Sequence, residues 1–153
     1  ETGHIDPTGF QGLAVVDSPN AITGRSVPTD ELMRLATDGD SFVIWDNVYG
    51  EYGHDSIPTP LPTNMAFVRS FSKFYGMAGL RLGYCVADSS LIERMLAQKD
   101  VFNVNGLAQV MAMEAIRRHA SFEDLRDELV ANRDQLVKGL EQLGFAELGR
   151  AHV

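Results

Sequence analysis

Cysteine is almost missing from this sequence. Cys85 stands alone among 153 residues, which excludes an internal disulfide and a cysteine-built zinc site. It lies in the apolar run GYCVA, where a thiol is expected to pack as a small hydrophobe. Positive charge is scarce as well. Thirteen Lys and Arg stand against 21 Asp and Glu, a net charge of −8. Such a chain lacks the basic face that phosphate neutralisation requires, so nucleic acid is excluded as a partner. No apolar run approaches the length of a membrane span, so no membrane association is expected. Residues 1–20 have neither the basic start nor the apolar stretch of a signal peptide, so the expected location is the cytoplasm. His4, His54, His119 and His152 have no metal-ligand spacing and are read as surface residues, with no metal site expected.

What is present is globular. Apolar residues make up 44% and charged residues 22%, and 153 residues are enough for one domain with a core. Gly12–Asp17 and Met65–Ser70 are short apolar runs that read as buried strands, and Ser41–Asp46 (SFVIWD) is the clearest of them. Leu82–Ala87 is a further strand. Ser18–Val27 is turn chemistry, and the proline-bearing Asp55–Asn64 is a long loop. Thr29 is placed to cap a helix with Leu32, Leu35 and Ala36 on one face, ended by Gly39. Ser89 or Ser90 is placed to cap a second helix running to about Gln98. Val101–Asn105 reads as extended, and Gly106–Arg118 has helical spacing at Leu107, Val110, Met111 and Ile116. Ser121–Leu143 reads as one amphipathic helix capped by Ser121, with Leu125, Leu129, Leu136 and Leu140 as its stripe and Gly144 as its stop. Phe145–Val153 begins a strand. Strands alternating with helices imply an α/β fold with a largely parallel sheet and flanking helices. Ligands of such sheets bind beyond the carboxyl ends of the strands. Asp46 and Ser70 both end strands, so one crevice can take both.

The chemistry concentrates in Val68–Tyr84, VRSFSKFYGMAGLRLGY. It offers an amine at Lys73, hydroxyls at Ser70 and Ser72, glycines at 76, 79 and 83, and a guanidinium at Arg81. That set suits a phosphorylated aldehyde: an amine bonds the carbonyl carbon, and hydroxyls with a guanidinium fork hold the phosphate. A solvated surface lysine is the plain alternative, against which stand the apolar neighbours Phe71 and Phe74. Arg81 could equally be a salt-bridge partner, and Asp46 an exposed turn aspartate.

The pattern S-x-S-K followed by G-x-x-G-x-R-x-G resembles the cofactor-lysine motif of fold-type I pyridoxal-phosphate enzymes, in particular the histidinol-phosphate aminotransferase branch. Asp46 and Tyr49 in DNVY match that family's D-x-x-Y, and FNVNGLAQ (residues 102–109) matches a stretch that follows its lysine motif. Asn105 in that stretch could also be only a helix cap. The resemblance implies pyridoxal 5'-phosphate as cofactor. Lys73 is then its covalent anchor and proton shuttle, Asp46 the partner of its ring nitrogen, Tyr49 the partner of its ring oxygen, and Ser70, Ser72 and Arg81 its phosphate clamp. The turn at Ser18–Gly24 resembles the family's N-P-N-N-P-T-G, with Pro19, Asn20, Thr23 and Gly24 matching. The family asparagine that bonds the ring oxygen falls at Ala21, so either Asn20 substitutes for it or Tyr49 acts alone.

The implied reaction is amino transfer between an amino acid, or a phosphorylated amino alcohol such as histidinol phosphate, and a 2-oxo acid. A decarboxylase, a synthase or oxidase of specialised metabolism, and a non-catalytic remnant are the alternatives. The resemblance covers only the middle of a family member. The chain therefore reads as a fragment, with residues 1–120 part of the cofactor domain and 121–153 the connecting helix and start of a small domain. It also implies a homodimer for the full-length parent.

Overall fold

The computed structural model describes residues 11–38, 41–53 and 57–145. Four strands form one sheet in the order β1 (Gly12–Asp17), β2 (Ser41–Asp46), β3 (Met65–Ser70), β4 (Gly83–Ala87). The first two pairings are parallel and the third is antiparallel. The α/β reading with a largely parallel sheet holds, and β4 is the exception. The link from β3 to β4 holds only a short 3-10 turn and no crossover helix, so the chain returns on the same side. That reversal matters for the site. Ser70 pairs with Gly83, so Arg81, two residues before β4, lies at the same sheet edge as the ends of β1, β2 and β3.

Helix α1 (Thr29–Thr37) covers one sheet face. Leu32, Leu35 and Ala36 are buried against Val43 and Trp45 of β2 and Met65 and Phe67 of β3. The Trp45 and Phe67 rings meet edge to face at 5.1 Å, an arrangement favoured by the ring quadrupoles. Trp45 donates its indole N–H to Ser18 O at 2.9 Å, which ties the end of β1 to this core. On the opposite face the edge strand β1 is open: Leu13 and Val15 are 60% and 65% exposed, where a buried strand was expected. Their alternation with half-buried Ala14 and Val16 is that of a strand packed on one side only.

The helix starts differ from the expected ones. Thr29 lies inside the first turn of α1, which begins after Pro28 with no side-chain cap. Gly39 lies outside the described residues. Asp88 caps α2 (Ser89–Gln98), its carboxylate accepting Ser90 N–H at 2.9 Å and the Ser90 hydroxyl at 2.6 Å. Those bonds hold the Asp88 carboxyl below the usual range. Residues 101–105 form a turn rather than an extended run. Asn105 does cap α3 (Gly106–Arg117), accepting Ala108 N–H at 2.8 Å, and its amide also donates to Leu80 O at 3.2 Å.

Helix α3 presents the face opposite to the one its large residues suggested. Ala108, Ala112 and Ala115 are buried, while Leu107, Val110, Met111 and Ile116 are exposed. Small side chains let the helix sit close, and hydrophobic spacing alone does not say which apolar face turns inward. Helix α4 (His119–Gln142) starts before Ser121. Arg118 both ends α3 and begins α4, so no separate helix start is left for Ser121 to cap. The Leu125, Leu129, Leu136, Leu140 stripe forms and stays exposed, Leu136 at 62%. The strand expected to begin at Phe145 falls almost wholly outside the described residues.

Candidate active site

The site is built at the carboxyl ends of β1, β2 and β3. Strand register sets Asp17 beside Asp46, and Asp46 beside Val68, two residues before Ser70. Asp46 closes the turn that follows it: its Oδ1 accepts Val48 N–H at 3.1 Å. One short turn thus carries both the carboxylate and Tyr49. Tyr49 in turn meets the lysine loop, with Lys73 Nζ 5.4 Å from its ring centroid.

Lys73 itself is exposed, although its neighbours Phe71 and Phe74 are buried. The aromatics expected to desolvate the amine instead anchor the loop. Phe71 stacks on Tyr75 at 4.9 Å, and Phe74 meets Tyr52 and Phe122 at 6.2 and 6.1 Å. The loop that carries the amine is fixed while its amine projects outward. Gly76 contributes by taking φ +65°, a conformation that a side chain would strain.

Ser70 and Ser72 come together. Their hydroxyl oxygens lie 2.8 Å apart, and Ser70 Oγ accepts Ser72 N–H at 3.0 Å. Ser70 Oγ is also 3.3 Å from Leu82 O, and Phe71 N–H donates to the same carbonyl. Leu82 is the neighbour of Arg81, so the hydroxyl pair and the guanidinium hang from adjoining backbone. Arg81 adopts the left-handed conformation at φ 53° and donates from Nη1 to Ala78 O at 2.8 Å, with no acidic partner among the described residues. Gly83 allows the close approach, since a Cβ there would stand 2.8 Å from Arg69 O.

Asn20 belongs to the turn after β1. Its Oδ1 accepts Thr23 N–H, Thr23 Oγ–H and Ile22 N–H, and its Nδ2 donates to Asp17 Oδ1 at 2.7 Å. Ala21 is exposed and offers only its backbone N–H, to Asp17 Oδ2. His119 is half-exposed, its Nδ1 3.0 Å from the Tyr75 hydroxyl; His4, His54 and His152 lie outside the described residues.

Lys73 with Tyr49 and Ser70 with Ser72 meet, while Asp46 and Arg81 lie in the chain at the same strand ends; these residue types fit the donor set that a phosphorylated pyridine aldehyde needs. The sequence profile of Aminotransferase class I and II matches residues 6–152. The chain belongs to that family. As an aminotransferase class I and II chain it is 37% identical over 148 residues to histidinol-phosphate aminotransferase 2 of Thiobacillus denitrificans. That match spans 92% of this chain and 41% of the relative. The fold matches a histidinol-phosphate aminotransferase from Sinorhizobium meliloti, solved with pyridoxal-5'-phosphate, at a TM-score of 0.79 and 20% identity. The match covers 88% of this chain and 38% of that one. It also matches L-threonine-O-3-phosphate decarboxylase from Porphyromonas gingivalis at a TM-score of 0.76 and 26% identity, over 90% of this chain and 44% of that one. The chain therefore spans less than half the length of these relatives.

One cluster beside these residues is not legible in the sequence. Asn47 stands at a position that the D-x-x-Y pattern leaves open. It is fully buried, donates from Nδ2 to Ser18 O at 2.8 Å, and accepts Arg69 Nε–H at 2.8 Å. Arg69 continues to Glu51, whose Oε1 is 3.4 Å from its Nη1. The sequence shows an arginine after the apolar run MAFV and a glutamate in the turn YGEYG, with nothing to pair them across 18 positions.

Proposed function

We propose that this chain is the cofactor-holding core of a pyridoxal-phosphate-dependent aminotransferase. Its proposed substrates are an amino acid, or a phosphorylated amino alcohol such as histidinol phosphate, and a 2-oxo acid acceptor. The observation that carries the reading is the meeting of Lys73 with Tyr49, 5.4 Å from amine to ring, on the same sheet edge as the Ser70–Ser72 pair. A second copy of the parent completing the site as a homodimer belongs to the same proposal, as does the division of the chain at about residue 120.

In this reading Lys73 holds the cofactor covalently through Nζ. Asp46 holds the ring-nitrogen proton on a carboxylate already oriented by Val48 N–H. Tyr49 bonds the ring oxygen. Asn20 already donates from Nδ2 to Asp17 Oδ1 and holds its own turn through Oδ1, so the contact is assigned to the Tyr49 hydroxyl. Ser70, Ser72 and Arg81 bind the phosphate. When bound, the cofactor supplies an electron sink for charge developing at the substrate α-carbon. With the substrate amine taking its place at the aldehyde carbon, the released Lys73 Nζ would take the α-proton as general base, and its exposure gives it access to substrate.

Decarboxylation is the second reading. It is favoured by Ala21 in place of the family asparagine and by the likeness to a phosphothreonine decarboxylase. Substrate profiling of the full-length parent separates the two. Amino transfer that requires a 2-oxo acid is the expected outcome, whereas carbon dioxide release without an acceptor would overturn it.

A further inference from the structure

A buried polar chain runs beside the turn that carries Asp46 and Tyr49. Glu51 lies on the short 3-10 turn Gly50–Tyr52 and Arg69 on β3, with side chains only 8% and 14% exposed. Glu51 Oε1 faces Arg69 Nη1, Arg69 Nε–H donates to Asn47 Oδ1, and Asn47 Nδ2–H donates to Ser18 O. Asn47 N–H also donates to Val68 O, and Ser18 N–H to Asp46 O. The chain therefore clamps the ends of β1, β2 and β3 around the one turn that carries Asp46 and Tyr49.

Buried charges are held where they are paired, and Glu51 is the carboxylate that faces Arg69 Nη1. Glu51 Oε2 is buried with no hydrogen-bond partner among the described residues, and Oε1 is the oxygen that faces Arg69 Nη1 at 3.4 Å. Arg126 Nη1–H donates to Glu51 O at 3.3 Å and pins the same turn from α4.

We propose that Glu51 is a positioning residue for Asp46 and Tyr49, acting through Arg69 and Asn47 and not by contact with any bound group. The inference rests on the proposed roles of Asp46 and Tyr49 and assigns what holds them in place. An arginine aimed by a carboxylate presents Nε to one lone pair of Asn47, and Asn47 can then give its N–H groups to the strand ends alone. Glutamine at position 51 keeps an acceptor for Arg69; alanine does not.

The test uses hydrogen exchange of the Val48 amide, because that N–H is bonded to Asp46 Oδ1 and reports where the carboxylate sits. In Glu51→Ala its exchange rises about tenfold or more, while Val43 and Trp45 in the core keep their protection. Glu51→Gln restores the Val48 rate to within about threefold of the parent chain. Arg69→Met raises it as Glu51→Ala does, and the double variant is no worse than Arg69→Met alone, as expected of one connected path. Unchanged Val48 exchange in Glu51→Ala, or additive effects in the double variant, would overturn the proposal. If Glu51→Ala does not fold, Glu51→Gln against Arg69→Lys decides it: Val48 protection lost in both overturns the acceptor role, and loss in neither removes the path. No cofactor enters these measurements, so they fail independently of labelling at Lys73.

Discussion

A Lys73→Ala variant of the full-length parent will fold as the parent does and lose amino transfer by about four orders of magnitude or more. The two halves of that expectation come from different features. Lys73 is exposed and its Nζ lies over the face of Tyr49, so truncation costs the fold no more than about 1 kcal/mol. The chemistry loses its nucleophile and its proton carrier together, and the other two lysines of this chain, Lys99 and Lys138, lie at α2's C-terminal end and on α4. Circular dichroism and thermal melting check the first half; single-turnover kinetics with an amino donor check the second. Lys73→Arg keeps the charge and the Tyr49 contact but supplies no usable amine, so it should fold equally well and be equally inactive.

Gly50→Ala carries the largest expected effect on stability. A Cβ on Gly50 would stand 1.7 Å from Asn47 Oδ1 and 2.4 Å from Asn47 Cγ. Asn47 cannot move aside cheaply, since its amide is fully buried and holds Ser18 O on one side and Arg69 on the other. Displacing it breaks its buried bonds to Ser18 O and Arg69 Nε as well as overpacking the turn. The sum should be about 2–4 kcal/mol, read as a lower urea midpoint with an unchanged slope. Ala in place of Gly79, where no atom lies within 4 Å of the added Cβ, is the control and should cost little.

The pH dependence of stability carries the same network's signature. Burial pushes the Glu51 carboxyl above its usual range, against the opposing pull of Arg69. An acid raised on folding binds its proton more tightly in the native chain. Its contribution is full below the ordinary glutamate value and is lost as pH rises through the raised one. Arg69, Tyr52, Tyr75, His119 and Arg126 surround it, so the comparison is between the parent chain and Glu51→Gln. The parent should lose stability relative to the variant across that window. A parallel pair of stability–pH curves would contradict it.

Much of the site could be read in the sequence because its parts are local. SFVIWD ends on its carboxylate whatever surrounds it, and the lysine, serines, glycines and arginine of 68–84 keep fixed spacings along one loop. The clamp of Asn47, Arg69 and Glu51 could not, because it depends on the register of β2 against β3 and on the fold of the turn between them. The face of α3 was hidden for a different reason. It has two apolar faces, and only packing decides that the alanines go inward. The antiparallel return of β4 was also invisible in an alternating pattern of elements, yet it is what carries Arg81 back to the edge where Ser70 ends.

The central claim is that Lys73 is the one amine of this chain built to bond an aldehyde. The chain has only three lysines, Lys73, Lys99 and Lys138, and all three are exposed, so accessibility alone favours none of them. Pyridoxal phosphate is added to the folded chain, the adduct is reduced with borohydride, and the modified peptide is mapped by mass spectrometry. The account predicts a weakly bound adduct confined to Lys73 and abolished by inorganic phosphate in excess. Labelling spread evenly over Lys73, Lys99 and Lys138 would contradict it.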